Sequence, residues 1–152
     1  MELEDVFPLP LDRVWELLHA HLDEGRLSEI HPQVLRGRSV REKGSVEYMG
    51  RAFPQEKVAE RVYRIAGRSV NTTWTYRIEP PDRYAYDLAF PNGSTIRFEN
   101  RYAPAGEGTR VRTTVDLALR RVPAFIARWI VRRSFDRSDR EDLAYARQRM
   151  RP

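Results

Sequence analysis

The sequence predicts an α+β fold in which a strongly curved antiparallel sheet of about seven strands wraps a long C-terminal helix, with one or two short helices before the sheet. Three observations carry it. A helical repeat of apolar residues follows a single opening strand; from Val34 to Leu119 strand patterns alternate with closely spaced turn signals; and Val122 to Met150 keeps helical spacing with no Gly or Pro beyond Pro123.

Composition bounds the rest. The 152 residues are 41% hydrophobic and 32% charged, with seven Tyr, six Phe and three Trp, which suits one globular domain spanning 1–152. No apolar run approaches the roughly 18 residues of a membrane span, and Met1-Glu2-Leu3-Glu4-Asp5 is acidic where a secretion signal is basic. A cytoplasmic location is therefore expected. The absence of Cys excludes disulfides, thiolate metal sites and cysteine nucleophiles.

Glu2 to Phe7 reads as the first strand, and Pro8-Leu9-Pro10 as an extended corner into a helix. Leu11, Val14, Trp15, Leu18 and Leu22 recur at helical spacing with Asp12 in the first turn, where a carboxylate suits the helix dipole. Gly25 is expected to end that helix, and Leu27 and Ile30 to form a second short turn before His31-Pro32. Turn signals then fall at Lys43-Gly44, Pro54-Gln55, Gly67, Pro80-Pro81-Asp82, Pro91-Asn92-Gly93 and Ala105 to Gly108. Short connections imply antiparallel neighbours.

Alternation is sharpest late in this run. Val70, Thr72, Trp74, Tyr76 and Ile78 share one face, as do Tyr84, Tyr86, Leu88 and Phe90, then Ile96, Phe98, Asn100 and Tyr102, then Val111, Thr113, Val115 and Leu117. Arg77, Arg83, Asp87, Arg97, Glu99, Arg101, Arg110, Arg112 and Asp116 lie on the other, so one face is covered and one is wet. Between Val34 and Ile65 the alternation is weak; Val46 to Phe53 and Lys57 to Ile65 read either as two strands or as one strand bent at Pro54. In the last helix Phe125, Ile126, Trp129 and Ile130 point one way and Phe135, Leu143, Ala146 and Met150 about a quarter turn away, which predicts a kink or break near Arg132 to Asp136.

The order strand, helix, short helix, meander, long helix is the helix-grip arrangement, and the chain resembles the SRPBCC or START-like superfamily. That group includes birch-pollen-allergen-like proteins, polyketide cyclase/dehydrases and lipid-transfer domains. Pro10-Leu11-Asp12-Arg13-Val14-Trp15-Glu16-Leu17-Leu18 resembles its strand-to-helix opening, Glu79-Pro80-Pro81-Asp82-Arg83 its mid-sheet turn, and Gly108-Thr109-Arg110-Val111 the start of its last strand. The resemblance implies a cavity between sheet and helix for a lipid, isoprenoid or polyketide-like molecule. It carries over no catalytic motif.

Thr72, Trp74, Tyr76, Tyr84, Tyr86, Phe98, Asn100, Tyr102 and Thr113 from the covered face, with Phe125 and Trp129 from the helix, are the expected ligand-binding residues. Several have polar tips, more than a dry core accommodates. Asn100 stands out, because an amide on an apolar face must satisfy four hydrogen-bonding positions, by orienting a ligand or by anchoring a neighbour. His19 and His21 are two apart on a helix and point in different directions, so neither a metal nor a cofactor is expected. His31 reads as a capping residue. Asp139 and Asp142 fall near the inward stripe, with pairing to an Arg, acid–base chemistry or solvation open to them, and solvation the plainest.

From Arg120 to Pro152 ten Arg face Asp136, Asp139, Glu141 and Asp142. Such a helix is solvated, or touches an anionic membrane transiently; nucleic acid is disfavoured because the aromatics fall on covered faces. The primary expectation is a binding or carrier protein for a small hydrophobic ligand. A cyclase or dehydrase using the same cavity is the alternative, then a protein- or RNA-interaction module using the basic helix.

Overall fold

A computed structural model describes residues 1–150, and among these it contains nine strands and three helices. They run β1 (Glu2–Phe7), α1 (Leu11–His21), α2 (Glu24–Ile30), β2 (Val34–Lys43), β3 (Val46–Tyr48), β4 (Arg51–Phe53), β5 (Glu56–Ile65), β6 (Arg68–Glu79), β7 (Arg83–Ala89), β8 (Thr95–Ala105), β9 (Gly108–Ala118) and α3 (Ala124–Arg149). Seven strands pair antiparallel in the order β1-β9-β8-β7-β6-β5-β2, and β3 and β4 form a separate small hairpin. The weak alternation before Ile65 thus hides two long strands with that hairpin between them. Pro54 separates β4 from β5 rather than bending one strand.

Because β1 and β2 lie at opposite edges of the sheet, the α1–α2 segment that joins them crosses from one edge to the other. Its anchor is Trp15, fully buried against Phe53, Tyr84 and Tyr102, with its indole N–H donating to the Pro81 carbonyl at 2.7 Å. Burying such a ring is worth several kcal/mol, and a Trp15→Ala cavity would cost about 3–5 kcal/mol. Gly25 does not end α1. The helix closes at Leu22, and the Asp23 carboxylate accepts from the Gly25 and Arg26 amides at 3.0 and 3.1 Å, starting α2 with Gly25 inside its first turn.

The late strands keep the predicted register. Tyr76 lies opposite Tyr86, Tyr86 opposite Phe98, and Asn100 opposite both Tyr84 and Thr113, so the covered residues of four strands form continuous cross-strand rows. The outer face carries cross-strand ion pairs such as Arg77–Asp87–Arg97 and Glu79–Arg83–Glu99. Ala66 and Gly67, both with positive φ, make the tight turn between β5 and β6, the left-handed geometry that two-residue hairpins require.

There is no break in the last helix: α3 is continuous from Ala124 to Arg149. Its inward stripe is Ala127, Val131, Phe135, Ser138, Asp142 and Ala146, spaced three and four apart, and much of it is small or polar. Large apolar residues alone therefore trace the wrong line. The helix is held at two places. Val131 and Phe135 pack on Phe98 and Val115, while Tyr145 and Met150 pack on Leu17, Ala20 and Ile30 of α1 and α2.

Candidate ligand cavity

Between those two contacts the sheet and α3 stand apart and enclose a cavity of about 430 Å³. Its strand wall holds Thr72, Trp74, Tyr84, Tyr86, Phe98, Asn100 and Tyr102, seven of the expected ligand-binding residues, together with Tyr63, Leu88, Phe90 and Ile96. Its helix wall holds Ile130, Val131, Ser134, Phe135, Ser138, Asp139 and Asp142, and α1 closes it with Val14, Leu17, Leu18 and His21.

One feature of the strand wall dominates. Tyr63 stacks on Trp74 at 5.6 Å, Trp74 on Tyr86 at 5.3 Å, Tyr86 on Phe98 at 4.7 Å, and Phe98 on Phe135 of α3 at 5.9 Å, with successive ring planes within 28° of one another throughout. Rings from β5, β6, β7 and β8 thus form an offset-stacked ladder that ends on the helix. Tyr63 is not among the expected residues, because the weak alternation of β5 leaves its register unreadable in the sequence.

The four remaining expected residues lie elsewhere. Tyr76 is buried beneath the wall, its hydroxyl accepting from the Arg61 guanidinium. Arg61 itself is buried, stacked 5.0 Å from the Trp74 ring and clamped by Glu24 through two hydrogen bonds of 2.9 and 2.8 Å. Lys57, also buried, shares Glu24 at 3.1 Å and donates to the Leu22 carbonyl. Burial pushes the Glu24 carboxyl up, but the hydrogen bonds and charges of Arg61 and Lys57 outweigh it and hold it below its ordinary range. Thr113 is buried beside the cavity and donates to Asn100 Oδ1 at 2.7 Å. Phe125 and Trp129 are 75% and 60% exposed on the outer side of α3, so they do not line the cavity. The inward stripe follows Ala127 and Val131 instead.

Asn100 also donates to the Tyr84 carbonyl at 3.2 Å, so it latches β8 to both its neighbours, and its remaining capacity faces the cavity. The Tyr84 hydroxyl, by contrast, is buried and makes no hydrogen bond. A buried hydroxyl in that state costs about 1–3 kcal/mol.

The helix wall carries the charge. Asp142 is not solvated: His21 Nε2 lies 2.9 Å and His31 Nε2 3.3 Å from its Oδ1. His31 Nδ1 bonds Glu141 Oε2 at 2.7 Å, which Gln33 also reaches at 3.2 Å. With a carboxylate at each nitrogen, the protonated form of His31 is favoured. Burial alone would lower its pKa, but the hydrogen bonds and charges of Asp142 and Glu141 raise it above its ordinary value. His31 does close α2, through its backbone N–H to the Leu27 carbonyl, but its ring does more than cap. The carboxyl of Asp139 is pushed up to about 7 by burial, with the charges of Asp142, Asp5 and Asp136 adding to it. His19 stays outside this group, its Nε2–H donating to the Ala52 carbonyl at 3.2 Å.

Comparison with known proteins is consistent with this geometry. A family model described as polyketide cyclase/dehydrase and lipid transport matches residues 1–144. A search of curated protein sequences returns no significant relative. Among solved structures, Ara h 8.0201 superposes with a TM-score of 0.72 at 14% identity, covering 97% of each chain. The Zhui aromatase/cyclase from Streptomyces sp. R1128 gives 0.69 at 20% identity, covering 99% of this chain and 94% of its own. TTHA0849 from Thermus thermophilus gives 0.61 at 20% identity, covering 96% of this chain and 98% of its own. At these identities the likeness establishes the fold, and that fold is helix-grip.

Proposed function

The chain belongs to the polyketide cyclase/dehydrase and lipid transport family, and on that premise we propose that its cavity binds a flat, conjugated molecule bearing oxygen substituents, of polyketide or isoprenoid kind. The aromatic ladder carries this reading. Four offset-stacked rings on the strand wall and Phe135 at its end offer a row of rigid aromatic edges and partly open faces, against which a flat ring system packs by offset or edge-to-face contact with less loss of conformational freedom than a flexible acyl chain. The free capacity of Asn100 supplies a place for a ligand oxygen, and the unpartnered Tyr84 hydroxyl, buried as it stands, gains a ligand partner by turning into the cavity that its ring lines. Native mass spectrometry of freshly purified protein tests it: the expected result is a co-purifying conjugated compound retained by wild type and lost in Trp74→Leu. Recovery of acyl lipids alone contradicts the planar-ligand reading.

The same cavity supports a cyclase or dehydrase as second reading, and Asp139 is the observation that favours it. A carboxyl with a pKa of about 7 on a cavity wall exchanges a proton readily near neutral pH, as a general acid or base must. No described hydrogen bond links it to a tyrosine, so carriage stands first.

Loading from an anionic membrane fits the outside of α3. Val122, Phe125, Ile126, Trp129 and Ile130 are exposed there beside Arg128, Arg132 and Arg133, and Arg133 lies 5.4 Å from the Trp129 ring. Ile130 belongs to both surfaces, since it also lines the cavity. Vesicles containing phosphatidylserine should bind wild type and release it on Phe125→Ser/Trp129→Ser substitution; equal binding of neutral vesicles, or of the double variant, contradicts this route. No helix among the described residues is long and apolar enough to cross a membrane, and contact at the surface of a cytoplasmic protein is the arrangement we favour.

A further inference from the structure

The cluster on the helix wall has the composition and spacing of a metal site, and this stands apart from any organic ligand. Its residues come from three elements that the fold brings together: His21 at the end of α1, His31 just after α2, and Asp142 in the second half of α3. One ligand atom from each lies within 4.8 Å of the others. His21 Nε2 and His31 Nε2 are 2.9 and 3.3 Å from the same carboxylate oxygen of Asp142.

Zinc bonds of about 2.0–2.2 Å place tetrahedral donors roughly 3.3 Å apart. The distances from Asp142 to the two imidazoles are therefore within about half an ångström of those that one such ion would impose. Two imidazoles and a carboxylate are the ligand types that zinc takes in sites with three protein ligands and one open position.

The surroundings of His31 match. A histidine bound to a metal through one nitrogen usually donates from the other to a carboxylate, which fixes the tautomer and makes the ring a better ligand. Here His31 Nδ1 is 2.7 Å from Glu141 Oε2, and the Gln33 side-chain amide donates to that oxygen at 3.2 Å. Nε2 is left towards His21 and Asp142. Those two residues, but not His31, form part of the cavity surface, so the side of the cluster not closed by protein faces the cavity.

We propose that His21, His31 and Asp142 bind one divalent zinc-type ion, with Glu141 orienting His31 and the fourth position open to the cavity. On binding, the Nε2–H of His31 leaves to solvent while its Nδ1–H stays hydrogen-bonded to Glu141, and His21 binds as the tautomer whose proton is on Nδ1. The ion's open position accepts water or a ligand oxygen and polarises a carbonyl placed there.

The experiment is a calorimetric titration of metal-stripped wild-type protein with zinc chloride, paralleled by cobalt chloride read in the visible spectrum. Wild type should take one zinc per chain, and cobalt should show the intense visible bands of four-coordinate geometry. His21→Ala and the isosteric Asp142→Asn should each weaken zinc by at least about 100-fold. Glu141→Gln, which touches no ion, should weaken it about 10–100-fold. His19→Ala, outside the cluster, should bind like wild type. Circular dichroism confirms that each variant is folded before it is scored. The proposal is overturned if folded wild type takes up no zinc, or if His21→Ala and Asp142→Asn bind it as wild type does.

Discussion

On the strand side the cavity is walled by Tyr63, Trp74, Tyr86 and Phe98, large rings stacked in series across four strands; on the helix side it is walled by Ser134, Ser138, Asp139 and Asp142, small or charged groups on one side of α3. The first wall is mainly aromatic, with the neutral polar groups of Tyr84 and Asn100 set in it. The second sets proton-bearing groups beside the apolar Ile130, Val131 and Phe135. On the function proposed here, a molecule between them would be positioned by the rings and met by the polar groups, a division that neither wall could supply alone. The contrast also explains why α3 does not collapse onto the sheet. Its middle presents carboxylates and hydroxyls, which gain nothing from burial against aromatic rings.

The strand wall rests on buried charge, and the largest effect should come from undermining it. Glu24→Gln leaves Lys57 and Arg61 inside without their counter-ion, and we expect a loss of about 3–5 kcal/mol in a urea titration. Because the Glu24 carboxyl is held below its ordinary value, its contribution is present above the usual carboxylate range and fades as pH falls through its folded value. A loss below about 1 kcal/mol would mean that the ladder does not depend on this cluster.

Breaking the ladder itself should cost less stability and more selectivity. Tyr86→Leu keeps apolar bulk but removes the ring between Trp74 and Phe98. Affinity for a planar probe such as 2-naphthol should fall about tenfold, roughly 1.4 kcal/mol, while a saturated bicyclic alcohol is little affected. Equal losses for both would show that the wall is merely apolar.

The helix wall is probed by Asp139→Asn. Burial and its acidic neighbours raise this carboxyl to about 7, so the folded chain holds the proton more tightly than the unfolded chain does. The stabilisation from that proton is full below the ordinary aspartate value and is lost as pH rises through about 7. The variant should match wild type at acid pH and exceed it by about 1 kcal/mol in mildly alkaline buffer. A pH-independent difference would contradict the buried setting of Asp139.

The same contrast separates what the sequence discloses from what it hides. Period-two alternation with large rings makes the register of β6 to β9 legible, and with it seven of the cavity residues. The helix wall is only partly legible: Asp139 and Asp142 read as near the inward stripe but as solvated, Val131 and Ser138 give no sign of facing a cavity, and Phe125 and Trp129 look buried and are exposed. A search for large apolar residues finds a packed face; a face that borders a cavity need not contain them. His21 and His31 look unrelated when weighed by their spacing along the chain. The contact that unites them is made by Asp142, more than a hundred residues later. Arg61 and Lys57 belong to the stretch of weak alternation, where two buried cations break the pattern, and only the position of Glu24 on α2 reveals why they are inside.

The cavity is proposed to recognise oxygen on a flat ring system, and the Tyr84 hydroxyl, which has no partner and meets a ligand by turning from its buried position into the cavity that its ring lines, is the sharpest probe. Asn100 serves less well, since its amide already bridges Tyr84 and Thr113. The decisive measurement is calorimetric titration of wild type and Tyr84→Phe with 2-naphthol and with naphthalene, two probes of nearly the same shape. Wild type should prefer 2-naphthol by about five- to tenfold, the worth of one buried hydrogen bond, and Tyr84→Phe should lose that preference while binding naphthalene at least as well. If wild type binds both equally, or the preference survives in Tyr84→Phe, the account of this cavity is wrong.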